Sequence, residues 1–314
     1  MSSIGLGCWQ FSGGQGLLGR FWPALTQETV DAIVASAVCG GINWFDSAEG
    51  YGWGESERSL DLALTAATRS GAISGRPLVA TKWWPFLRTA RHLRETVESR
   101  REALGGRVID LYQIHQRIAF STLKAQMNAL ADVVEAGHAR AVGVSNFSAA
   151  AMRRSAGLLE ARGVPLASNQ VGYSLLDRRI ETNGVLDEAR RMGITIIAYS
   201  PLAQGVLTGR FHPGPAGDAE TPGTPRRRLP QFRPGRIRKT QPVVDLLRSL
   251  ARAHGCTPAQ VALAWVTQRQ PGVVVAIPGA SSPTQAEQDA GSMTLRLSAE
   301  EIERLDRVSD PSGS

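Results

Sequence analysis

The stretch FDSAEGYGWGESE, residues 45–57, ends a short apolar run on a carboxylate, Asp46, and sets a phenol, Tyr51, a few residues later in a glycine-rich turn. The next two apolar runs end in the same manner, PLVAT on the ammonium of Lys82 and LYQI on the imidazole of His115. Three titratable groups at the ends of three successive runs, with a tyrosine on the first connecting turn, make a set suited to proton transfer. A free tyrosine titrates at about pH 10, too high for easy donation near neutrality. A neighbouring ammonium favours the phenolate and is expected to lower that value. Burial alone would drive the lysine towards neutrality, so a carboxylate beside it keeps it charged. Asp46, Lys82 and Tyr51 therefore read as a tuned general acid aimed at a developing alkoxide, with His115 orienting or polarising a carbonyl oxygen. Taken singly, each is an ordinary turn, cap or rim residue; their joint occurrence carries the chemistry.

Such a set can meet only if the apolar runs are neighbouring parallel strands. Short apolar runs at 4–9, 42–45, 78–81, 109–114, 140–144, 166–170, 194–198 and 273–277 alternate with amphipathic segments at 27–39, 93–104, 122–135, 149–162 and 182–192. That alternation marks parallel βα units. Eight of them predict one α/β domain over residues 1–314, an eight-stranded parallel β/α (TIM) barrel whose chemistry sits at the carboxyl ends of its strands. An open doubly wound sheet is the alternative, but no GxGxxG follows the first strand. A long irregular segment, 211–240, follows strand seven and reads as a lid or a solvated flap. A last helix at 298–308 opens with the capping pattern S-A-E-E.

The net charge of +7 over 314 residues resides in one place. The run RRRLPQFRPGRIRK, residues 226–239, holds seven positive and no negative residues, so the remainder is balanced. A duplex-binding face would be broader, and no nucleic-acid partner is expected. Cys8, Cys39 and Cys256 show no CxxC spacing and the five histidines no HxH or HxxxH pair, so no metal is expected. No apolar run reaches the ~18 residues of a membrane span, and MSSIGLGCWQF lacks the form of a signal peptide. The expectation is a cytoplasmic protein with no membrane partner and an oligomeric state the sequence leaves open.

The motifs GLGCWQF, FDSAEGYG, ATKWW, DLYQIH, GVSNF, SNQVGYS, AYSPLAQGVLTGRF and IPGASSPTQAEQDAG together make the chain resemble an aldo-keto reductase over nearly its whole length. The resemblance implies that Asp46, Tyr51, Lys82 and His115 are the family's tetrad and that a nicotinamide dinucleotide, NADPH with NADH as the alternative, binds without a Rossmann domain. It implies that Ser145, Asn146 and Gln170 hold the carboxamide and that Tyr199 stacks on the nicotinamide ring. Ser200, Leu202 and Arg210 are implied at the pyrophosphate, and Gly279, Ser281, Gln285, Gln288 and Asp289 around the adenosine. Ser282 as N-cap and Pro283 after it mark a helix start there, with amides suited to an anion.

The chain departs from the family at that end. Gly279, Ser281 and Gln285 stand where relatives place a Lys or Arg, and Gln288 and Asp289 replace a Glu-Asn pair near the adenine. Trp9, Trp53 and Trp83, with Trp84 and Phe86, are expected to wall a pocket for an aromatic or apolar carbonyl compound. Gln116 and Arg117 follow His115 where the family often has Trp, which leaves room for a sugar or another polar substrate. The expected activity is reduction of an aldehyde or ketone by NAD(P)H, with the proton from Tyr51. Two rivals stand beside it: a cofactor-binding regulatory subunit with little turnover, and a Schiff-base aldolase using Lys82.

Overall fold

The computed structural model describes residues 1–73, 75–214, 219–223 and 226–310. Residues 215–218 and 224–225 of the irregular segment, and the last four of the chain, lie outside the described residues. Eight strands run in the order β1 (Leu6–Gly7), β2 (Trp44–Asp46), β3 (Leu78–Trp83), β4 (Ile109–Ile114), β5 (Ala139–Ser145), β6 (Leu166–Gly172), β7 (Thr195–Tyr199) and β8 (Val274–Ile277). Each pairs in parallel with the next. The ring closes through parallel bridges Ile4↔Ala276 and Gly7↔Gly279, with Gly5 N and Gly7 N donating to the Ala276 and Pro278 carbonyls at 2.8 Å. This is the barrel expected from the alternation of runs.

The helices are α1 (Gly16–Gly19), α2 (Gln27–Cys39), α3 (Glu55–Arg69), α4 (Ala90–Ala103), α5 (Leu123–Glu135), α6 (Ala149–Glu160), α7 (Val185–Met192), α8 (Pro234–His254), α9 (Pro258–Gln268), α10 (Pro283–Gly291) and α11 (Ala299–Val308). Local chemistry sets many of their starts. Thr26, Thr122, Ser148, Thr257, Ser282 and Ser298 each accept a hydrogen bond from a backbone N–H of the first turn. Ser298 and Glu301 complete the capping box legible in the sequence. The segment expected to be irregular to residue 240 is shorter: Pro234 opens α8, so the second half of the basic run is helical.

Strand parity divides the interior. Ile4, Leu6, Phe45, Val79, Tyr112, Val142 and Ile196 belong to the continuous outer core between sheet and helices. Trp44, Ile197 and Ile277, backed by Leu78, Leu111, Tyr199 and Val275, fill the barrel interior. The Trp44 indole occupies the space a β-carbon on Gly5 would need, with ring atoms 2.3–2.6 Å from it, so only glycine fits there. One pleat further along, the same inward parity turns polar: Asp46, Lys82, Gln113, Ser145 and Gln170 are all buried. The site is thus the top layer of the barrel core.

Candidate active site

Asp46 ends β2 and Lys82 lies near the end of β3, in register with Gln113 on β4. Lys82 Nζ forms an ion pair with Asp46 Oδ1, donates to the Ser47 carbonyl at 2.9 Å and lies 3.4 Å from the Tyr51 hydroxyl. Gln113 and Gln170 donate their amide N–H groups to Asp46 Oδ2 at 3.1 and 2.9 Å. The Asp46 carboxylate is therefore held from three sides. Tyr51 lies edge-on to the His115 ring, centroids 5.5 Å apart, and His115 lies edge-on to Trp84 at 5.1 Å. The structure brings all four residues of the sequence-derived set to one rim.

The electrostatics corrects one expectation. The Tyr51 phenol is raised above its ordinary value, not lowered: burial outweighs the attraction of Lys82, and Asp46 pushes the same way as burial. Lys82 and Asp46 partly cancel as seen from the phenol, so desolvation prevails. Tyr51 consequently carries its proton at neutral pH. Burial disfavours the Lys82 ammonium, yet Asp46 and Tyr51 reverse that and hold its pKa above the ordinary value. A lysine kept charged is a poor amine nucleophile, which weighs against the Schiff-base rival. Burial, with Lys82 nearby, drives the His115 imidazole well below its usual range, so it is neutral, with a buried Nδ1 that has no partner.

One cavity of about 780 Å³ runs from this rim across β7 and β8. Ser145, Asn146, Gln170, Tyr199, Ser200, Leu202 and Arg210 all line it, as do Gly279, Ser281, Gln285, Gln288 and Asp289. The Tyr199 hydroxyl donates to Asn146 Oδ1 at 2.9 Å, and Asn146 Nδ2 reaches Ser145 Oγ at 3.1 Å. Asn146, Ser200, Ala203 and Gln204 have φ of 62, 50, 47 and 55°. Left-handed backbone at non-glycine residues is costly and concentrates where a ligand is clamped. Ser282 caps α10 and Pro283 opens it, as the sequence indicates.

Two tryptophans fall elsewhere than expected. Trp83 is fully buried in the outer core, its indole N–H donating to His92 Nδ1 at 3.1 Å on α4. It follows the inward-facing Lys82, and alternation along the strand turns it outward. Trp53 is 54% exposed, lies outside the cavity lining and stacks under the Arg88 guanidinium at 5.6 Å. The aromatic wall is instead Trp9, Trp22, Tyr51 and Trp84, with Trp9 stacked on Phe21 and on Tyr51. Gln113 and Trp22 carry roles that sequence reasoning missed. Gln113 stands two residues before His115, so shared inward parity was a signal for it; nothing local marked Trp22. Among the described residues, no group of three or more His, Cys, Asp or Glu could hold a metal ion, and no helix is long and apolar enough to cross a membrane.

A family model described as the aldo/keto reductase family matches residues 3–310. An uncharacterized oxidoreductase of Mycobacterium tuberculosis is 37% identical over 309 residues, which cover 97% of this chain and 88% of the relative. A solved aldo/keto reductase from Klebsiella pneumoniae, in complex with NADP and acetate, superposes at a TM-score of 0.73 with 27% identity over 98% of this chain and 92% of that one. A glycerol dehydrogenase from Gluconobacter oxydans superposes at 0.81 with 26% identity over 98% and 91%.

Proposed function

Because this chain belongs to the aldo/keto reductase family, we propose that it reduces an aldehyde or ketone to the alcohol in the cavity above Tyr51, with NADPH as reductant and NADH as its competitor. The residues present fit a nicotinamide dinucleotide. Amides and hydroxyls of Ser145, Asn146 and Gln170 meet the Tyr199 ring at one part of the cavity, and Arg210 and Arg226 line another. Four buried polar atoms of its lining residues, Trp22 Nε1, His115 Nδ1, Arg210 Nε and Asp289 Oδ2, have no hydrogen-bond partner among the described residues. The NADP bound by the Klebsiella pneumoniae relative favours NADPH over NADH.

A reduced nicotinamide, when bound, supplies the hydride. The chain's residues do the rest. His115, neutral, has an N–H with which to hold the carbonyl oxygen. Tyr51, protonated, gives that oxygen its proton as negative charge develops there. Lys82, 3.4 Å from the phenol oxygen, stabilises the phenolate left behind, and Asp46 keeps Lys82 charged. Gln113 and Gln170 fix Asp46 in turn. The single observation that carries this reading is the buried Asp46–Lys82–Tyr51 chain opening on the cavity. The aromatic wall favours a planar or apolar carbonyl compound, while Gln116, exposed at the rim, accommodates polar groups. A second cavity of about 560 Å³, sharing Trp84, Gln116, Asn146 and Tyr199 with the first, leaves room for a substrate larger than its reacting end.

The test is a steady-state screen of aromatic, aliphatic and sugar carbonyls, run separately with NADPH and with NADH. Turnover with at least one class, faster with NADPH, is the expected result. Tight dinucleotide binding without turnover of any carbonyl would instead identify a regulatory subunit.

A further inference from the structure

The second cavity, about 560 Å³, adjoins the first but carries different chemistry. Trp84, one of the residues the two share, lies edge-on to the His115 ring at 5.1 Å, so the spaces meet at the reacting end. Phe86, Ile118, Phe147, Val171 and Ile180 give the second cavity an apolar surface. Two guanidinium groups line it, those of Arg117 and Arg179, and among the described residues no carboxylate does. Arg179 is already matched: its Nε and Nη2 donate to the two carboxylate oxygens of Asp177, each at 2.7 Å. Arg117 is exposed, and its side chain makes no ion pair, hydrogen bond or ring contact with another described residue. It stands two residues past His115, so their Cα atoms are at most about 7 Å apart.

The amide side chains of the lining add donors rather than acceptors. Gln116 Oε1 accepts from Asn146 Nδ2 at 3.3 Å, and Asn183 Oδ1 accepts from the Val185 N–H at 3.1 Å. The N–H groups of the Gln116 and Asn183 amides are left without a partner among the described residues. Spare donors around an uncompensated cation suit a group that only accepts. An ionised carboxylate is such a group, and it can meet a guanidinium through two parallel bonds. With Arg179 neutralised by Asp177, the charge left to balance is that of a monoanion, which favours a carboxylate over a doubly charged phosphate. We propose that the second cavity binds a carboxylate at the far end of the carbonyl substrate, and that Arg117 is the residue that selects for it. The reacting end then lies at Tyr51 and His115, and the spacer passes Trp84 beside Phe86 and Ile118. The subsite rests on the reading that a carbonyl is reduced in the first cavity.

Steady-state kinetics on para-formylbenzoate and para-formylcinnamate test the subsite, each acid run against its primary amide, which matches it in size without the charge. The reductant is whichever of NADPH and NADH turns over faster. The quantity read is the ratio of kcat/KM for acid over amide, in wild type, Arg117→Gln, Arg117→Lys and Arg117→Glu. A ratio within one protein cancels any loss of folded enzyme. Comparing proteins on the same pair cancels the electronic difference between acid and amide. Arg117→Gln should lower the ratio about five- to fiftyfold for at least one pair, chiefly through KM of the acid. Arg117→Lys should keep part of the preference, having the charge without the planar fork, and Arg117→Glu should fall below Arg117→Gln. The wild-type ratio should shrink as salt is added, since the cation is exposed. The same ratio in wild type and Arg117→Gln for both pairs, or one that Arg117→Glu leaves unchanged, would overturn the subsite. Turnover of other carbonyls with an unchanged ratio, or with neither acid reduced, would overturn this inference alone; no turnover of any carbonyl by the wild type would overturn the functional reading with it.

Discussion

Among single residues, the proposed reaction depends on which groups hold protons. Tyr51, raised by burial, donates from its neutral form, so carbonyl reduction should not decline from phenol ionisation below about pH 10. His115, driven well below its usual range, becomes charged only in acid, so a kcat/KM profile should show no step near pH 6.5. An inflection there that His115→Gln abolishes would contradict the neutral imidazole. The Asp46–Lys82 pair makes a separate claim. Lys82→Met alone strands a buried carboxylate and should cost about 3–5 kcal/mol in denaturant unfolding. Adding Asp46→Asn should recover most of that stability while activity stays lost. These four residues were legible because each sits at or just past the end of an apolar run. The tryptophans were not, since the choice between Trp83 and Trp84 depends on a one-residue alternation that a list of aromatic positions ignores.

At the scale of the element, α3 is tied to β3 through a buried acid. Glu57 on α3 accepts at 2.5 Å from Oγ1 of Thr81, the residue before Lys82 on β3, and at 2.9 Å from Arg100 on α4. Burial raises its carboxyl to about 7, with Arg100 opposing. A carboxyl whose folded pKa exceeds its unfolded value binds more protons folded than unfolded. Its stabilising contribution is therefore complete below about pH 4.3 and is lost as pH rises through about 7. Denaturation midpoints of the wild type should fall across that window by more than those of Glu57→Gln; equal slopes would refute the assignment. The elements themselves were legible to within a few residues, because capping side chains and apolar runs are local. What escaped were α3 and α9, which were given no range, and α8, whose interior holds Pro242, a signal that argues against helix when only sequence is read. Packing of Val243, Val244, Leu247 and Leu250 against the barrel overrides that signal.

At the scale of the whole molecule, the excess positive charge has a definite place. Arg226, at the start of the basic run, lies over the Trp22 ring at 4.8 Å and over Phe211 at 6.0 Å, joining the loops after β1 and β7 across the cavity. Replacing Arg226 by alanine should speed dinucleotide release by about two- to thirtyfold in stopped-flow displacement. An unchanged release rate would leave the contact without that function. No sequence pattern announced this bridge, because it pairs residues some 200 apart with nothing local to link them. The barrel and its rim were legible from the alternation of apolar and amphipathic runs and from the run ends; the closure over the cavity was not.

In the proposed reaction, Tyr51 delivers the proton to a carbonyl reduced in this cavity. The most direct test is single turnover: protein loaded with NADPH is mixed with a carbonyl found active in the screen, and oxidation of the nicotinamide is followed by absorbance in wild type and Tyr51→Phe. Tyr51→Phe should bind NADPH as the wild type does and oxidise it about 10²–10⁴-fold more slowly. Equal rates in the two proteins would contradict the account.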